Sequence, residues 1–186
     1  MDRFMVHLKN SGYVPQDAKK LLLQADKLVS GMHVIVRDAR VSSRYLEFDI
    51  SVSKEHLDLL VKKLETIGPL DNARHLVEED MEKDEAIEKG RDYFNDERFW
   101  ECHETLEGVW KKTYEGEKNL IQGIILVAAA FVHYQKNEDE ICLSILKRAM
   151  EKIESSSGKY HNIDVDILRN MVSKIITSGK IVPFRI

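Results

Sequence analysis

Apolar and polar positions alternate along residues 3–8, where Phe4, Val6 and Leu8 share one side. The alternation returns at Met32, Val34 and Val36, and again at Leu46, Phe48, Ile50 and Val52. A period of two predicts three strands, each with one face on a core. Between the first two, Pro15 opens a helix to about Val29 that buries Leu21, Leu22, Ala25 and Leu28, and Ser30 and Gly31 end it. Residues 38–43 read as the hairpin connection between the second and third strands. Ser53 is placed to cap a second helix over 54–67, with Leu57, Leu60, Val61, Leu64 and Ile67 inward, and Gly68 and Pro69 stop it. A short fourth strand fits 74–77. The order strand, helix, strand, strand, helix, strand predicts an α+β domain over residues 1–78, a ferredoxin-like split sandwich. His7 and His33, opposite the apolar set, are expected to face solvent.

The pattern then changes. A charged stretch over 78–89 marks a border near residue 78, and an all-α bundle of five helices is expected over 79–186. The first helix carries Met81, Ile87, Tyr93 and Phe94, and the second is expected to start at a cap from Asn95 or Asp96. The third, over 120–134, is apolar on every side, as a central bundle helix should be. Asn137, with Glu140 three residues on, is expected to cap the fourth, whose stripe is Ile141, Ile145, Leu146, Ala149 and Ile153. Residues 155–158 form a loop, and Ile163, Ile167, Met171, Val172, Ile175 and Ile176 define the last helix. The segment with Ile181, Val182, Phe184 and Ile186 would be adhesive in water, so it returns to its own core or docks on a partner chain. That segment and the edges of the sheet are the two surfaces through which the chain can form a homo-oligomer.

Composition narrows the class of partner. The chain has 186 residues, 43% hydrophobic and 32% charged, with a net charge of −4. The negative balance, with no Lys or Arg run interleaved with aromatics, argues against nucleic acid. No signal pattern opens the sequence, and its longest apolar run is too short for a bilayer, so a cytoplasmic protein without a membrane partner is expected. Cys102 and Cys142 lack metal-finger or redox spacing and read as reduced packing residues.

Candidate chemistry concentrates in the second helix of the bundle. At 100° per residue, Glu107 lies about 40° from His103 in one direction, and Trp110, Phe99 and Leu106 lie about 20°, 40° and 60° in the other. Trp100 joins the arc and Glu104 sits at its edge, whereas Glu101, Gly108 and Lys112 are assigned to the solvated side. On this reading His103 and Glu107 are buried at the middle of an apolar face. In the next helix only Gln122 and His133 interrupt the apolar run, about three turns apart on a strip with Leu126, Ala129 and Ala130. That strip is expected to face His103 and Glu107. An imidazole and a carboxylate one turn apart can hold a divalent metal ion, with His133 or Gln122 completing the shell. The same residues can instead form a buried hydrogen-bonded network that only specifies packing, with Trp100 and Trp110 as core aromatics. A metal-dependent hydrolase is the third alternative. No catalytic residue and no small-molecule ligand can be named, because Cys102 and His103 are adjacent on a helix and point apart.

The spacing His103-x-x-x-Glu107-x-x-Trp110, preceded by Phe99-Trp100 and followed by Leu120-x-Gln122-Gly123, Ala128-Ala129, His133 and Asn137, resembles the family called domain of unknown function 309. The resemblance covers roughly residues 85–155. It implies a small all-helical domain whose His, Glu and Trp have been suggested to bind a metal, and it implies no established reaction.

Overall fold

A computed structural model describes residues 1–77 and 80–186. The chain divides into two compact units. The first comprises the described residues before Asp80 together with Gln135–Asn137, and the second comprises Asp80–Tyr134 and Glu138–Ile186. The border expected at residue 78 lies outside the described residues.

In the first unit the elements are β1 (Asp2–Lys9), α1 (Ala18–Leu28), β2 (Ile35–Val41), β3 (Tyr45–Val52), α2 (Leu57–Leu64) and β4 (Leu70–His75). The sheet runs in the order β2-β3-β1-β4, with every neighbouring pair antiparallel. Phe4, Val6, Leu46, Phe48 and Ile50 present one face to Leu21 and Ala25 of α1 and Leu60 and Leu64 of α2. Period-two burial therefore builds the core that the alternation predicts. The second strand is displaced from its expected place. It runs through Asp38 and Arg40, with Ala39 and Val41 buried, and the turn is left to Ser42–Arg44. Ser42 shapes that turn: its hydroxyl oxygen accepts from the amides of Arg44 and Tyr45.

The opposite face of the sheet is polar but not solvated. His7, Arg40, Glu47, Asp49 and Ser51 are all buried, which corrects the expectation of a solvent-facing His7; His33 is exposed as expected. Buried charge survives only where it is compensated. Glu47 receives His7 Nε2 at 2.8 Å and the Arg40 guanidinium, and Arg40 also reaches Asp38 at 3.0 Å. Arg3 forks onto Asp49. Gln135 and Lys136 count with this unit through the Val41 amide and Asp38.

The second unit has five helices: α3 (Lys83–Asn95), α4 (Phe99–Trp110), α5 (Glu115–Tyr134), α6 (Asp139–Ile153) and α7 (Val165–Ser178). A short hairpin of β5 (Lys159–Tyr160) and β6 (Ile163–Asp164) precedes α7, where the sequence suggests a loop and the start of a helix. Two pairs of helices approach at glycine. A methyl group on Gly123 of α5 would lie 2.2 Å from Ile153 of α6, and one on Gly90 of α3 would lie 2.6 Å from Leu106 of α4. Phe94, Phe99 and Phe131 form the aromatic centre, with ring centroids 4.8–6.0 Å apart.

The expected caps are used differently. Asn95 makes no cap; its side chain holds the backbone of Ile186. Position N-cap of α4 is Arg98, without a side-chain cap bond. Asn137 takes a left-handed conformation at φ 63°, and α6 begins after Glu138. A side-chain capping bond is present at α7, from the Ile167 amide to Asp164. Ile181, Phe184 and Ile186 pack on this unit's own core, which resolves the fate of the apolar segment.

Candidate metal centre

Helix α4 buries a different face from the one centred on His103. Its fully buried apolar residues are Phe99, Cys102, Leu106 and Val109, so the inward direction lies about 80° from His103, on the side away from Glu107. His103 and Glu107 are therefore edge residues, with 29% and 46% of their side chains exposed, and Glu104 is 48% exposed. This corrects the expectation of a buried His103 and Glu107. The cause is Cys102 and Val109, two apolar residues whose weight moves the hydrophobic face.

At this edge three ligand groups come together. His103 Nδ1 lies 3.2 Å from Glu104 Oε1 and 4.0 Å from Glu107 Oε2. One ligand atom from each of His103, Glu104 and Glu107 lies within 4.8 Å of the other two. The i, i+4 spacing on a helix supplies the His103–Glu107 approach, and the adjacent Glu104 swings in from the exposed side. Imidazole nitrogen and two carboxylates form a donor set suited to a borderline divalent transition metal.

Helix α5 does not complete this group. His133 pairs through Nδ1 with Glu138 at 2.5 Å, and it stands in no cluster of three ligand groups among the described residues. Gln122 is half-buried and makes no hydrogen bond to His103 or Glu107 among the described residues. The strip of Gln122, Leu126, Ala129 and His133 is half-buried throughout. Trp100 is half-buried too, and Trp110 packs against the core with Lys118 5.4 Å from its ring centre. The indole Nε1 of Trp110 is buried without a hydrogen-bond partner among the described residues.

Glu101 departs furthest from its expected place. Assigned to the solvated side, it is 1% exposed and forked by Arg98 at 2.5 and 2.6 Å. A bidentate guanidinium makes that burial tolerable. The cysteines are inert packing groups: burial pushes the Cys102 thiol well above its ordinary range and, with Asp139 nearby, the Cys142 thiol up to about 12. Neither is a thiolate nucleophile at neutral pH.

The comparisons bear on the segment that carries this cluster. Residues 87–145 match the model of the Domain of unknown function (DUF309). The DUF309 match begins within α3 and ends within α6, so it holds His103, Glu104, Glu107, Trp110, Gln122 and His133. No curated protein matches the chain. Among the described residues no helix is long and apolar enough to cross a membrane.

Sequence reasoning overlooked the ion-paired face of the first unit. Its signal was present in Arg40 and Glu47, opposite charges at facing strand positions, beside Asp38 and Asp49, which face each other. A cavity of about 310 Å³ between α3 and the β5–β6 hairpin, where His161 and Asn162 face Asp84 and Glu88, had no sequence signal at all.

Proposed function

We propose that the DUF309 segment binds a divalent metal ion through His103, Glu104 and Glu107. The observation that carries the reading is the approach of three ligand atoms within 4.8 Å on one helix edge. Glu104 takes the place first assigned to His133, and Gln122 has no part in the shell. Three protein ligands are the number that catalytic metal sites use, and the exposure of all three side chains leaves room for water on the ion. A bound ion of this kind lowers the pKa of its water, so a metal-dependent hydrolase is the enzymatic form of the proposal. The packing-only alternative needs Glu107 joined to His133 or Gln122, and the half-exposed Glu107 and the His133–Glu138 pair weigh against it. We further read the chain as two domains, 1–78 and 79–186, in a reducing cytoplasm that suits two buried, unpaired cysteines.

Calorimetric titration with zinc tests the site. The full chain should bind the ion, and His103→Ala or Glu107→Gln should weaken binding by on the order of tenfold or more, since even outer-shell losses cost that much. His133→Ala should leave affinity unchanged. Negligible zinc binding by the unaltered chain removes the proposal.

A further inference from the structure

The cavity of about 310 Å³ between α3 and the β5–β6 hairpin is lined by groups that the fold leaves incomplete. Ile87 and Ile163, both buried, supply its apolar wall. Asp84, Glu88 and Arg91 lie along one strip of α3, because residues four and seven apart return to the same side, and at 1.5 Å per residue the strip is about 10 Å long. The hairpin closes the other side: His161 Nε2 lies 3.9 Å from Asp84, and Asn162 donates to Glu88 at 3.4 Å. His161 keeps this place with a left-handed backbone at φ 50°, which is costly for a residue with a Cβ. Arg91 Nε is buried without a hydrogen-bond partner among the described residues, and the guanidinium pairs with Asp92 at 2.9 Å rather than with Glu88. A buried donor left in this way calls for an acceptor. Asp84, Glu85 and Glu88 set three carboxylates against that one guanidinium, so the lining as a whole favours a positively charged occupant.

We propose that this cavity binds a free amino acid with a cationic side chain, of the length of lysine. The side-chain ammonium lies against Asp84 and Glu88, the carboxylate accepts from Arg91 Nε, and the methylene chain covers Ile87 and Ile163. The strip of α3 thus sets the separation of the two ligand charges, and an amine without a carboxylate satisfies one end alone. A ligand with both groups and a net positive charge meets the orphaned donor and the excess of carboxylates together. The cavity volume is at the small end of those that take organic ligands, as suits a single amino acid. None of these residues belongs to the His103 cluster on α4, and the proposal stands or falls apart from metal binding.

The experiment titrates L-lysine into the full-length chain, labelled at its isoleucine methyl groups, and follows them by NMR. The Ile87 and Ile163 signals should shift in a saturable way, while Ile50, buried in the core of the other unit, stays in place. Cadaverine, which is lysine without its carboxylate, should bind the unaltered chain several-fold more weakly. Glu88→Gln should weaken lysine binding by roughly tenfold, the worth of one charge-assisted contact, whereas Glu151→Gln, which removes an exposed carboxylate from α6, should leave it unchanged. Arg91→Met should bring the affinity for lysine down to that for cadaverine. No shift at Ile87 and Ile163 at any lysine concentration, equal affinity of the unaltered chain for lysine and cadaverine, or equal weakening by Glu88→Gln and Glu151→Gln overturns the proposal.

Discussion

Glu47 shows how one residue can carry a disproportionate share of stability. Burial by itself would raise its pKa, but the Arg40 charge, the His7 hydrogen bond and the His7 charge outweigh it and hold the carboxyl at about 2, below its ordinary 4.5. A carboxyl depressed in the folded state stabilises fully above its unfolded pKa, and that stabilisation fades as pH falls from about 4.5 toward about 2. Urea midpoints should therefore drop across this window, and Glu47→Gln should flatten the drop. At pH 7 the same substitution removes the Glu47 charge from the buried Arg40 and leaves it Asp38 at 3.0 Å, so a loss toward the low end of the range for a broken buried pair, about 3 kcal/mol, is expected in the same unfolding experiment. An unchanged midpoint in Glu47→Gln would contradict the compensation described for this face.

At the scale of the element, glycine separates packing from propensity. Gly123 and Gly108 both lie inside helices, yet only Gly123 has a neighbour, Ile153, in the way of a methyl group. Gly108→Ala should stabilise α4 by about 0.5–1 kcal/mol, because alanine is the better helix former and the space is open. Gly123→Ala gains the same propensity but forces α5 from α6, at about 1–3 kcal/mol for overpacking, so the net effect is destabilising. Thermal unfolding of the two variants should shift in opposite directions. The same scale explains the displaced face of α4. Angular periodicity located a polar and an apolar arc, but Phe99 and Trp110 lie on the border of both. Which way the helix turns was set by what Cys102, Leu106 and Val109 could bury.

Across the whole molecule, metal binding and stability are linked. An ion that binds only the folded chain at a concentration 100-fold above its dissociation constant adds about 2.7 kcal/mol. Zinc should raise the melting temperature of the unaltered chain, and His103→Ala should abolish the rise while melting near the unaltered apo value, as expected for a half-exposed residue. A rise of equal size in both chains would place the ion elsewhere.

Local pattern determined much of this protein. Period-two burial in Phe4, Val6, Leu46 and Phe48, the helical stripes of α1, α2 and α6, and the encircling apolarity of α5 all follow from which side chains water excludes, a property each residue carries with it. The one-turn spacing of His103 and Glu107 is equally local, so two of the three groups in the candidate centre were legible as a pair. What could not be read depends on which polar groups the fold sets beside one another. Arg40 falls in the expected hairpin connection until the strand register sets it opposite Glu47, and Glu101 lies on the arc assigned to solvent, yet it is buried and paired with Arg98. Asn95 looks like a helix cap, and only the return of Ile186, 91 residues later, takes its side chain away. The placing of His133 beside Glu138 rather than His103 was likewise decided by tertiary structure, because the burial of a polar group is fixed by the donors and acceptors that the fold brings to it.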